Sequence, residues 1–152
     1  MLFLIIKWIH ILSAIVAVGA NITYSIWIAQ ASRDPKVLPF VLRNISWIDR
    51  RIANPCYGLL LLTGLIMVFI TRIPLTTPWL LTALILYVLA ALLGIFVYAP
   101  AARRQIQVLE GEGFDSSNYK ALARQGNRLG LLVTLDVVII VFLMVVKPAL
   151  WG

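Results

Sequence analysis

The stretch from Leu2 to Ile28 limits what this chain can fold into more than any other. It is apolar almost throughout, interrupted by Lys7, His10 and Asn21. As an α-helix rising ~1.5 Å per residue it reaches ~40 Å, enough to cross a bilayer with some tilt. Lys7 and His10 fall on one face, and helical steps continue that face through Ala14, Ala17, Asn21 and Tyr24. One stripe therefore collects the ionisable, amide and small side chains. The opposite stripe, Leu4, Ile11, Val18 and Ile22, suits lipid. An ionisable group in a spanning helix should face protein or a water-filled cavity. The polar stripe is thus expected to be the inner face around which the other helices gather.

The remainder repeats the theme. Phe40 to Ala53 sets Val41, Ile45, Ile48 and Ile52 against Arg43, Asn44, Asp49, Arg50 and Arg51, the pattern of an amphipathic helix at a membrane surface. Pro55 to Ile70 is apolar and carries Gly58, Thr63 and Gly64, small enough for close helix approach. Thr76-Thr77-Pro78-Trp79 opens a third crossing with a hydroxyl cap and a first-turn proline. The short connection before it predicts a tight antiparallel hairpin of the second and third crossings. Asp115-Ser116-Ser117 reads as an N-cap for a helix that leads into a fourth crossing, ending at Lys147-Pro148. With 62% hydrophobic and 12% charged residues, the class is an integral membrane protein. The expected fold is all-α: one polytopic domain over residues 1–152, with four transmembrane helices in a bundle at about 2–28, 55–73, 79–99 and 129–147. An interfacial helix at about 40–53 and a cytoplasmic helical hairpin at about 101–128 complete it.

Charge placement decides what the net charge of +7 means. Arg33, Lys36, Arg43, Arg50 and Arg51 share the first loop, and Arg103, Arg104, Lys120, Arg124 and Arg128 the third. The opposite side holds only Lys7, Arg72 and Lys147. That asymmetry is a topology signal rather than a nucleic-acid footprint. It predicts both termini outside and both long basic loops in the cytoplasm. The partner expected is the lipid bilayer, with a homo-oligomer or a larger membrane complex open and no nucleic acid. Ala17-Val18-Gly19-Ala20 resembles a signal-peptide cleavage site, but no basic segment precedes the apolar run, so a retained helix is expected. The sequons at Asn21 and Asn44 are chance matches, given where they fall.

Few residues can carry chemistry. The single cysteine, Cys56, excludes an internal disulfide and reads as a packing residue; the single histidine excludes a multi-histidine metal site within one chain. His10 can ligate haem iron or copper through a neutral ring nitrogen, with Met67, Met144 or a second copy's histidine as the further ligand. Its alternative is a hydrogen bond across the bundle. Lys7 and Lys147 lie near the same surface and either bind an anion, such as a propionate or a lipid phosphate, or snorkel to headgroups. Asn21 and Asp136 each sit ~10 Å from the inner ends of their helices, so they share a level and are expected to pair. That pair either joins the first helix to the fourth or places a proton-accepting carboxylate in a polar path.

Lys7-Trp8-Ile9-His10-Ile11-Leu12-Ser13-Ala14 with Gly19, Leu60-Leu61-Leu62-Thr63-Gly64, and Met144-Val145-Val146-Lys147-Pro148 resemble the motifs of a bacterial family of small four-helix membrane proteins, the domain of unknown function DUF2269. The resemblance implies four spans in a bacterial cytoplasmic (inner) membrane and no particular activity. The Lys-x-x-His opening is also similar to HemJ-type protoporphyrinogen oxidases, which bind haem b, and to CopD-type copper-resistance membrane proteins. The chain departs from the former after the histidine and from the latter in having no further histidine. Three functional readings follow: a haem-associated or redox-associated protein ligating through His10, a non-enzymatic accessory subunit of a membrane complex, and a small proton-coupled transporter using Asp136. No catalytic residue is identified, and whether the protein is an enzyme stays open.

Overall fold

A computed structural model of the chain describes residues 1–150. The last two residues of the expected domain, Trp151 and Gly152, lie outside the described residues. The described chain is all-helical: α1 (Leu2–Ala31), α2 (Leu38–Ile48), α3 (Asn54–Thr71), α4 (Pro78–Leu93), α5 (Ala99–Glu112) and α6 (Ser117–Val146). Four continuous helical bodies, Leu2–Ala31, Leu38–Thr71, Pro78–Glu112 and Ser117–Val146, are long and apolar enough to cross a membrane. The longest has 35 residues, ~52 Å at the helical rise, so it overshoots a ~30 Å hydrocarbon core by several turns. Their outer faces are apolar and uncovered, as at Leu4, Ile15, Phe69, Phe96 and Leu131. Lipid is the solvent that such a surface requires.

The segments expected at about 40–53 and 55–73 form one continuous helical body, and the crossing expected at about 79–99 runs on to Glu112. Chain direction passes from α2 to α3 through a π-helical turn, Asp49–Ala53, and from α4 to α5 through another, Gly94–Tyr98. Each turn directly precedes a helix with proline in its first turn, Pro55 and Pro100. A proline lacks the N–H that closes an α-turn, and a local π-turn lets the helix continue past that missing donor. The amphipathic segment is accordingly the first part of a long helix rather than a separate element.

Helix α1 packs along α3 on one flank and along α6 on the other, and α6 packs along α4. The Cα atoms of α3 and α4, in contrast, stay more than 8 Å apart. The predicted tight hairpin is therefore not formed. Residues 72–77 reach ~20 Å when extended, and Arg72 ends α3 in the left-handed conformation (φ 54°). Thr77 then closes a turn on the Pro74 carbonyl (2.9 Å). Each helix has a different close neighbour, α1 for α3 and α6 for α4.

A compact apolar cluster ties the loop end together. Ala31 of α1, Leu38 and Leu42 of α2, Leu109 of α5 and Tyr119 of α6 are all buried in it. Gly113 (φ 86°) turns the chain out of α5, and the Ser116 hydroxyl caps α6 by accepting from the Tyr119 amide (3.1 Å). Arg43 and Glu110 pair at 2.5 Å across α2 and α5. Both are solvent-exposed, so the pair adds well under ~1 kcal/mol.

Candidate functional site

The stripe that carries the polar residues of α1 faces the other helices. Ser13, Ala17 and Tyr24 are buried, His10, Ala14 and Asn21 half-buried, while Leu4, Ile11 and Ile22 on the opposite side are exposed. Lys7 is exposed at the terminal end of the same stripe.

His10 meets α3. Its Nδ1 lies 2.9 Å from Thr63 Oγ1. That hydroxyl also lies 2.5 Å from the Leu59 carbonyl, four residues back on its own helix. A carbonyl only accepts, so the single Thr63 proton goes to Leu59 and the oxygen accepts from His10. The network thereby assigns the proton to Nδ1 and leaves Nε2 with a lone pair. Thr63 is the side-chain partner of the ring, and it meets Nδ1. Gly64 completes the seat: a Cβ there would stand 3.2 Å from His10 Cε1. Thr63 and Gly64 are legible in the sequence only as small residues. Their polar and steric roles depend on His10 arriving opposite them.

A second polar group lies nearer the loop end. The Asn21 amide donates to the Tyr57 hydroxyl on α3, and the Tyr87 hydroxyl of α4 donates to the Tyr57 carbonyl (2.7 Å). Tyr57 thus connects three helices and supplies a link between α3 and α4, whose backbones do not touch. Tyr24, 8% exposed, lies in the same region with its hydroxyl buried and unpartnered.

The expected Asn21–Asp136 hydrogen bond is not made. Asn21 is engaged by Tyr57, and Asp136 Oδ2 on α6 is buried without a partner. Matching depth did not ensure matching direction, because the amide of Asn21 is turned to the α3 flank of α1. Lys147 closes α6 in the left-handed conformation (φ 51°). Its ammonium lies 5.4 Å from the centroid of the Trp79 ring, on the first turn of α4. No group of three His, Cys, Asp or Glu side chains is arranged to hold a metal among the described residues. Any metal-ligating role falls on His10 with donors of other kinds or from another molecule.

Apolar outer faces and four helices long enough to span, with polar bonds crossing between them, define a polytopic α-helical membrane protein. The chain belongs to DUF2269, a family of predicted integral membrane proteins, whose model matches residues 4–148. No curated protein and no solved structure matches it.

Proposed function

We propose that this bundle is a haem-associated or redox-associated membrane protein in which His10 serves as axial ligand through Nε2. The supporting observation is the geometry around Nδ1, from which the tautomer is inferred. Nδ1–H is held by Thr63, whose own proton is committed to Leu59, so the lone pair stands on the other nitrogen. Metal-ligating histidines have this form: one nitrogen fixed by a hydrogen bond, the other free. Three features support the reading. Thr63 orients the ring, Gly64 leaves it room, and Lys7, one turn away on the same face, offers a cation to an acidic substituent. Met67, one turn beyond Thr63 on α3, or His10 of a second copy supplies a further ligand in this reading. When bound, haem contributes one-electron chemistry; the protein contributes position and polarity. Both termini face outward and both basic loops face the bacterial cytoplasm in the same reading.

The test is the visible spectrum of the detergent-purified full chain, produced with haem supply and also titrated with haemin. A Soret band in the wild type that is lost in His10→Ala supports the reading. A colourless wild type that acquires no Soret shift with haemin overturns it. A second reading, a non-enzymatic accessory subunit, draws on a different observation: the His10–Thr63, Asn21–Tyr57 and Tyr87–Tyr57 bonds all cross between helices. It expects a colourless protein whose helix association weakens in His10→Ala.

A further inference from the structure

The continuous helix formed by α4, the second π-turn and α5 carries a groove where its apolar part gives way to its charged part. Ile95, Ala99, Pro100, Arg103, Arg104 and Gln107 line it, and its volume is about 410 Å³. That lies within the ~300–1,000 Å³ of small-molecule clefts. One end of the groove is hydrocarbon: Ile95 is exposed, as is its neighbour Phe96. The other end is two guanidinium groups and an amide.

Neither Arg103 nor Arg104 has a hydrogen-bond or ion-pair partner among the described residues. The acidic side chains of α5 are engaged elsewhere. Glu110 pairs with Arg43 of α2, and Glu112 accepts from Asn118 of α6 (2.8 Å). Two arginines therefore face the groove with no carboxylate to neutralise them. Guanidinium groups bind phosphate oxygens in a planar, bidentate manner, and an amide can serve a neighbouring hydroxyl. The remaining wall offers only apolar contact, continuous with the lipid-facing surface of α4.

We propose that this groove is a binding site for an anionic phospholipid. The phosphate sits between Arg103 and Arg104, Gln107 meets the headgroup, and an acyl chain runs along Ile95. Charge complementarity selects an anionic lipid over a zwitterionic one, because a choline or ethanolamine group would face the same two cations. The apolar end selects a lipid over a free anion. The site is independent of His10 and of any bound cofactor.

Native mass spectrometry of the full chain, titrated with dioleoyl-phosphatidylglycerol or dioleoyl-phosphatidylcholine, tests it. Wild type should retain phosphatidylglycerol in preference to phosphatidylcholine. The R103Q/R104Q variant should lose that retention by about thirtyfold, from roughly 1 kcal/mol per basic group near a lipid surface. An R33Q/R128Q variant, with the same loss of charge at the same end of the molecule, should retain it. R103K/R104K keeps the charge and should lose only part of the affinity; it carries the test should the glutamine variant fail to fold. Equal losses in R103Q/R104Q and R33Q/R128Q would overturn the proposal in favour of diffuse charge attraction. So would equal retention of the two lipids, or displacement of phosphatidylglycerol by millimolar inorganic phosphate, which would mark the groove as a site for free anions.

Discussion

His10 and Thr63 form a directed pair: the imidazole Nδ1–H donates across 2.9 Å to a hydroxyl that itself donates to the carbonyl of Leu59. The chain of donors has one polarity and ends on the α3 backbone. Thr63→Val keeps the shape of the side chain and removes the acceptor. Interhelical hydrogen bonds in membranes are worth about 0.6 kcal/mol on average and at most ~1.7. Thr63→Val should therefore lower stability by about 1 kcal/mol, and Thr63→Ser should restore most of it. Reversible unfolding in mixed micelles measures this. A valine variant as stable as wild type would show that the bond contributes nothing.

Gly64 makes a steric prediction at the same seam. An alanine Cβ would stand 3.2 Å from His10 Cε1, so the ring must move by a few tenths of an ångström. The ring is held at Nδ1 and has little freedom to yield. Gly64→Ala should cost about 1–3 kcal/mol by overpacking. Gly58, on the same helix, has open space where a Cβ would stand, with no neighbouring atom within 4 Å. Gly58→Ala should therefore be neutral or slightly stabilising through helix propensity. Parallel unfolding curves separate packing from propensity.

Asn21 and Tyr57 should be coupled, and Asn21 and Asp136 should not. A double-mutant cycle on Asn21→Leu and Tyr57→Phe should give an interaction of roughly 0.5–1.5 kcal/mol. The same cycle on Asn21→Leu and Asp136→Leu should be additive within about 0.3–0.5 kcal/mol. Reversed outcomes would place the Asn21 amide on the α6 flank instead.

These relationships also mark the limit of what the residues alone disclose. The inner stripe of α1 is legible because helical period and polarity agree from His10 to Tyr24. The four spans are legible because length and apolar character suffice for that. Which neighbour each polar group meets is a different matter. Counting residues puts Asn21 and Asp136 at comparable depth, but depth fixes height along a helix axis and leaves its rotation open. Tyr57 gives no sign of being a hydrogen-bond partner, since an aromatic residue near a span's end reads first as an interface anchor. The separation of α3 from α4 is hidden for a similar reason: a short connection limits how far two helices can be, not how near they must be. Pro55 and Pro100 each remove a helical donor within a long helix. The π-turns that absorb the loss leave no mark in composition.

Tyr24 offers a test through an absent partner. Its hydroxyl is buried and unpaired, a situation that costs about 1–3 kcal/mol relative to a satisfied or absent group. Tyr24→Phe keeps the ring and removes the hydroxyl, so it should leave stability unchanged or raise it by about 1 kcal/mol. A loss of stability would instead show that the hydroxyl is satisfied in the membrane, by water or by a bound molecule.

Asp136 poses the corresponding question for a charge. One carboxylate oxygen is buried on α6 with no hydrogen-bond partner, and the amide expected to meet it is engaged by Tyr57. An aspartate at the centre of a spanning helix costs about 2.5–3.5 kcal/mol on insertion scales, and a partner is the usual remedy. Where none exists, replacement by an apolar residue removes the cost. Asp136→Leu should therefore insert more efficiently and unfold at a higher temperature than wild type, while Asp136→Asn, which keeps a polar group at the site, should fall between them. A transport role predicts a different pattern: the leucine variant gains stability but abolishes proton-coupled flux in proteoliposomes, and the asparagine variant loses flux as well. Insertion efficiency and Tm decide whether the carboxylate is a structural burden. Flux decides whether that burden is retained for proton movement, since a purely structural aspartate leaves flux indifferent to either substitution.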